Sequence, residues 1–211
     1  RRSGKLDNAL LVLLSDHGES FGQEMHIQRL NGERSVIRPY GHGAFLIEPD
    51  ESHVLLAFTH FVNGQPEDEG SVSNDLVSLT DIRSGVNEFL RDGEITPLKP
   101  SACLMVETGV RLDATSDLSR FDPAETIKQA SQFYKIGPTG LMSLREEKLA
   151  ELISTKDIAR ICSETITLDD AATGKAITYR RARGSAVEVP LRLDDVRAIQ
   201  SHRQRLAGLA R

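Results

Sequence analysis

The chain has 211 residues, 39% of them hydrophobic and 27% charged, with a formal net charge of -5. That is enough chain for one sizeable core, and the composition is that of an ordinary folded protein. No basic patch interleaved with aromatics is present, which argues against a nucleic-acid partner, and no apolar run reaches the ~20 residues of a membrane helix.

Arg1-Arg2-Ser3-Gly4-Lys5 leads almost directly into Ala9-Leu10-Leu11-Val12-Leu13-Leu14. An unbroken apolar run of this kind predicts a strand over residues 8–14, buried on both faces as in a parallel sheet. Such a strand needs neighbours, so we expect the chain to be the later part of a longer polypeptide. The run breaks into Ser15-Asp16-His17-Gly18-Glu19, and strand ends of open α/β sheets are where ligands bind. Residues 18–44 show little periodicity and predict a long functional loop. His53 to Phe58 predicts a second buried strand, and residues 63–72 a polar connection.

Ser73 or Asn74 is then expected to cap a helix. Its apolar face carries Leu76, Val77, Leu79, Ile82, Val86, Phe89 and Leu90, and Gly93 ends it. Pro97 and Pro100 mark a turning point, and Cys103 to Val106 is a short strand. We expect Cys103 and Cys162 to be buried thiols rather than a disulfide. Residues 113–132 are polar, with one helix after Asp122-Pro123. Phe133 to Ile136 and Leu141 to Leu144 flank a Gly-Pro-Thr-Gly turn and predict a hairpin. Leu149, Leu152 and Ile153 mark a helix, with a second short one at Ile158 and Ile161. A further hairpin joins residues 166–168 to 176–179, a strand follows at 187–191, and a basic amphipathic helix closes the chain from Leu193 to Leu209.

Asp16 and His17 offer a carboxylate and an imidazole at one bend, a donor pair that suits Zn, Mn or Fe and, with more oxygens, Ca. His42 sits between Gly41 and Gly43, which let the backbone approach a ligand closely. His26 and Arg38 share its loop and are candidates to contact an anion. His60 is a weaker candidate, His53 reads as structural, and His202 is expected on a solvated helix face.

In order, Leu13-Leu14-Ser15-Asp16-His17-Gly18-Glu19-Ser20-Phe21-Gly22, Gly41-His42-Gly43, His53-Val54-Leu55-Leu56 and Val77-Ser78-Leu79-Thr80-Asp81-Ile82 resemble the alkaline phosphatase superfamily. The likeness is greatest to the sulfatases and the phosphoethanolamine transferases. It covers residues 6–92 with some specificity and the remainder in outline. It implies an α/β fold with an alkaline-phosphatase-like mixed sheet flanked by helices. Residues 1–100 would then belong to the sulfatase-like core, and 101–211 would form a smaller β-rich subdomain closed by a helix. It implies that Asp16 and His17 bind a divalent metal (Ca, Mn or Zn) and that His42 is catalytic, with a sulfate or phosphate ester as substrate. This chain has Leu55 where the family has Pro, and a long insertion between Asp16 and His42. The family's nucleophile lies N-terminal to Ser-Asp-His-Gly, so the N-terminal portion of the same parent protein is an expected partner and this chain alone is expected to be inactive. A phosphoethanolamine-type transferase fragment and a non-catalytic remnant are the alternatives.

Overall fold

The computed structural model describes residues 4–43, 45–67, 70–95, 97–109, 123–171 and 173–209. The chain begins with β1 (Asn8–Leu14), β2 (Ser20–Phe21), β3 (Met25–Gln28), β4 (Arg34–Ile37) and β5 (Tyr40–Gly41). There follow α1 (Pro49–Ser52), β6 (Leu56–Val62), β7 (Gln65–Pro66), α2 (Ile82–Asp92) and β8 (Cys103–Glu107). The remainder holds α3 (Pro123–Phe133), β9 (Tyr134–Ile136), β10 (Met142–Leu144), α4 (Leu149–Ser154), β11 (Ile158–Cys162), β12 (Thr165–Asp170), β13 (Lys175–Ala182), β14 (Ser185–Val189) and α5 (Leu193–Leu209).

The centre is a seven-stranded mixed sheet in the order β4-β3-β14-β13-β12-β11-β8. Strands β11 to β14 form a meander, and β14 pairs β3 in parallel while the other neighbours are antiparallel. Alternation sends Met25, Ile27, Ala159, Ile161, Ile166, Tyr179 and Ala186 to one face, where Leu46, Ile47 and Leu76 pack on them. The opposite face is polar at its middle and covered by α5. Asp195, 1% exposed, accepts hydrogen bonds there from Arg160 Nη1 at 2.7 Å and Thr167 Oγ1 at 3.0 Å. This sheet draws β3 and β4 from before residue 100 and the rest from after it.

A separate three-stranded antiparallel sheet holds β1, β6 and β7. The expectation that β1 is buried on both faces in a parallel sheet is corrected. Among the described residues it pairs only with β6, from Asn8↔Val62 to Leu14↔Leu56, and Leu11, Leu13 and Leu14 are 49%, 53% and 45% exposed. Helix α2 comes close to β6 at Gly85, where a Cβ would lie 3.8 Å from the Phe58 ring and 3.1 Å from Leu98 Cδ2, so that the Leu98 side chain would have to give by a few tenths of an ångström. Among the described residues no helix is long and apolar enough to cross a membrane.

Other elements differ from the sequence expectation for definable reasons. The loop expected over 18–44 contains four short strands. The β3-β4 hairpin turns at Asn31-Gly32, with Gly32 at φ 85° and the Arg29 N–H donating to Glu33 O at 2.8 Å. Asn-Gly between short alternating runs is a hairpin signal that the low overall hydrophobicity masked. Helix α2 starts at Ile82, not near Ser73, after a 3-10 turn at Leu79–Asp81. Ser78 caps that turn, in a reciprocal box with Asp81. Gly93 does end the helix, in the left-handed conformation. Residues 158–161 form strand β11 rather than a helix. Both of its faces are covered, so its isoleucines need not alternate. The two later hairpins, β9-β10 and β12-β13, and helix α5 form as expected. Cys103 and Cys162 form a disulfide, contrary to expectation, because the β8-β11 register sets them directly opposite, with Cα atoms 4.2 Å apart. The polar residues 113–122 lie outside the described residues.

Candidate metal centre

Three chain segments meet where β1 ends. The Ser15 N–H donates to Leu55 O at 3.0 Å and the Leu55 N–H to Ser15 Oγ at 3.1 Å, which closes the turn onto the start of β6. The Gly18 N–H donates to Glu51 O at 3.0 Å. The approach is so close that a Cβ on Gly18 would stand 1.8 Å from Asp50 O. Glu51 in α1 gathers the surroundings through its carboxylate, accepting from Ser20 Oγ at 3.3 Å and from the Phe45 N–H at 3.1 Å. The β2-β5 pairing matches Ser20 with Gly41, so Glu19 and His42 face each other one step beyond the ladder. Gly41 and Gly43, on either side of His42, both have positive φ, and the Gly109 N–H after β8 ties down Gly43 O at 2.9 Å.

The result is a cluster of His17, Glu19 and His42 whose ligand atoms all lie within 4.8 Å of one another. The two imidazoles stack with centroids 3.7 Å apart and planes inclined by 19°. His42 Nδ1 is 2.8 Å from Glu19 Oε2, and His17 Nδ1 is 2.9 Å from Gly18 O. Asp16 stands at the rim with its side chain 87% exposed and Oδ1 3.7 Å from His17 Nε2. Sequence reasoning thus found His17 and His42 and missed Glu19, which joins them only through the β2-β5 register. Two imidazoles and a carboxylate are donors fit for a divalent transition ion, with room left for another ligand.

Glu48, at the start of α1, is 1% exposed, and neither of its carboxylate oxygens has a well-formed hydrogen bond. Burial pushes its carboxyl above the ordinary range. The neighbouring Asp50 N–H and Arg181 oppose the shift, while the carboxylates of Asp50 and Glu51 add to it. Burial likewise lowers the Arg181 guanidinium, against the pull of Glu48, and Arg181 Nη1 donates to Ser52 Oγ at 3.4 Å.

The other candidates sit elsewhere. His26 on β3 and Arg38 after β4 both turn to Glu24; His26 Nε2 lies 3.9 Å from Glu24 Oε2, and Arg38 hydrogen-bonds Glu24 Oε1. His26 also lines a shallow cleft with Gln28, Arg34 and Val187. His60 is held structurally, with Nδ1 2.6 Å from Glu67 Oε2, Nε2 3.0 Å from Asn8 Oδ1 and its ring edge-to-face with Phe89. His202 is not on a solvated face: its side chain is 20% exposed and Nε2 lies 2.8 Å from Glu107 Oε1. His53 is exposed.

Compared with models of known protein families, with curated proteins and with solved structures, the chain matches none.

Proposed function

We propose that this chain is part of a metal-dependent hydrolase of sulfate or phosphate esters, with the sulfatase-like architecture of the alkaline phosphatase superfamily. The observation that carries the reading is the convergence of His17 and His42, 25 positions apart in sequence, within 4.8 Å at the end of β1. His17, with Asp16 beside it, would hold a divalent ion, and that ion would polarise the ester's non-bridging oxygens. His42 is held by Glu19 at one nitrogen and is half exposed at the other end, so it can hand a proton to a leaving group. His26 and Arg38, engaged with Glu24, add no support for substrate binding. The hydroxyls of Ser15 and Ser20 are committed to Leu55 N and Glu51, so the reading takes its nucleophile from a segment outside this chain.

Aryl sulfate and aryl phosphate turnover tests this. The longest natural polypeptide containing these residues should hydrolyse one of them in the presence of Zn, Mn or Ca. His42→Ala should lower its kcat by about 100-fold or more. The isolated chain should show no turnover. Hydrolysis by the isolated chain, or a His42→Ala polypeptide as active as the parent, would sink the reading.

A further inference from the structure

We propose that Asn31 is a site of covalent self-modification. Its side-chain amide is displaced by the backbone nitrogen of Gly32, which leaves aspartate or isoaspartate at the tip of the β3-β4 hairpin. Neither the metal site nor ester hydrolysis takes part.

Two of the chain's five asparagines precede glycine, as Asn31-Gly32 and Asn63-Gly64. Glycine has no side chain to shield its nitrogen, so each pair carries an asparagine amide next to an open nucleophile. Water is the co-reactant. The Gly32 nitrogen gives up its proton and bonds to Asn31 Cγ, and the Cγ–Nδ2 bond breaks with Nδ2 leaving as ammonia. Water then cleaves one of the two C–N bonds of the cyclic imide. Cleavage at Cγ gives aspartate. Cleavage at the backbone carbonyl carbon gives isoaspartate, whose chain runs through the former side chain.

The two turns differ in what holds them. Asn31 is exposed, and its turn is closed by the Gly32 N–H on Arg29 O at 3.0 Å and the Arg29 N–H on Glu33 O at 2.8 Å. Both bonds lie within the tip, and β4 is the outermost strand of its sheet. A local opening of the tip therefore frees the nitrogen. The Glu33 N–H donates to Asn31 Oδ1 at 2.9 Å, which curls the side chain over the Gly32 peptide and draws electron density from Cγ. The same N–H supports the negative oxygen that forms as the nitrogen attacks. The other pair is clasped by a distant part of the chain. The Asn63 N–H donates to Asp7 O at 2.7 Å and the Gly64 N–H to Leu6 O at 2.8 Å. Freeing that nitrogen parts the β6-β7 turn from the segment leading into β1. Folding thus leaves Asn31 reactive and protects Asn63.

Isoaspartate adds one carbon to the backbone path between Arg29 and Glu33, so the bond that pairs them no longer closes in register.

The test is incubation of the chain at mildly alkaline pH, folded in buffer and unfolded in guanidinium chloride, with both asparagines followed by peptide mass spectrometry. The ratio of the Asn31 rate to the Asn63 rate should rise about tenfold or more on folding, because the second turn has two further backbone hydrogen bonds to break. The isoaspartate form, separated by its added charge, should exchange the Arg29 amide hydrogen about tenfold faster than the parent. A ratio unchanged or lowered by folding, or an Asn31 that stays intact in the folded chain while the unfolded chain reacts, would overturn the proposal. Undiminished protection of the Arg29 amide in the isoaspartate form would overturn its effect on the hairpin.

Discussion

A methyl group at Gly18 would collide with the Asp50 carbonyl oxygen at 1.8 Å, and that oxygen belongs to the backbone of α1 and cannot swing aside. Gly18→Ala therefore has to lift the Asp16-His17 turn off α1. We expect a loss of about 2–3 kcal/mol in urea denaturation, together with weaker metal binding, since the His17 ring moves with the turn. Glu48 makes a different prediction. Burial raises its carboxyl pKa on folding, with Asp50, Glu51 and Arg181 as the charged groups around it. A raised acid favours the fold fully below its unfolded value, near 4.5, and loses that contribution as pH climbs through the folded value. Stability should accordingly decline as pH rises above that ordinary value. Glu48→Gln should flatten the decline, gaining on the parent at pH 8 more than at pH 4 in thermal melts.

At the level of elements, β8 is an edge strand secured in three ways. The disulfide from Cys103 to Cys162 closes a 59-residue separation, so replacing both cysteines with alanine should cost about 2–4 kcal/mol by denaturant titration. Thr108, just past the strand, exchanges bonds with Asp157: its N–H donates to Asp157 O at 3.0 Å, and its hydroxyl accepts from the Asp157 N–H at 2.9 Å. Glu107 takes Lys156 Nζ and His202 Nε2, each at 2.8 Å. Burial alone would raise the Glu107 carboxyl, but these two hydrogen bonds and charges hold it below its usual value. A lowered acid stabilises the fold above its unfolded value and loses that as pH falls through the folded one, so Glu107→Gln should be least harmful in acid. Helix α5 is docked more deeply through Asp195, which holds Arg160 and Thr167 and lies 3.2 Å from Arg192 Nε. Asp195→Ala strands those partners at the sheet and should cost about 3 kcal/mol, checked by the midpoint of urea unfolding.

For the whole molecule, the decisive fact is that the chain's first third is divided among three sheets, one of them the short β2-β5 pair. β1 and β6 build the small antiparallel sheet, while β3 and β4 extend the large mixed one through the parallel β14-β3 contact. A run of leucines reads as a doubly buried strand because hydrophobicity is all that a run can show. Which side each leucine meets is settled by neighbours, and β1 has one paired edge and three exposed leucines. The weakly patterned residues 18–44 became strands for the complementary reason. A four-residue strand such as β3 carries only two buried side chains, Met25 and Ile27, too few to stand out locally.

Local chemistry was legible from the residues alone. The β9-β10 and β12-β13 hairpins, the Gly93 stop, the closing helix and the polar bend after β1 are each specified by neighbours in the chain. Their determinants lie within a few bonds, where turn preference and periodicity act directly. The cysteine bridge, the Asp195 hub and the junction of Glu19 with His42 were decided only by tertiary structure. Each joins residues 23 or more positions apart through strand register or helix docking. A register shift of one residue would turn each side chain to the opposite face, and nothing in the local pattern states which register wins.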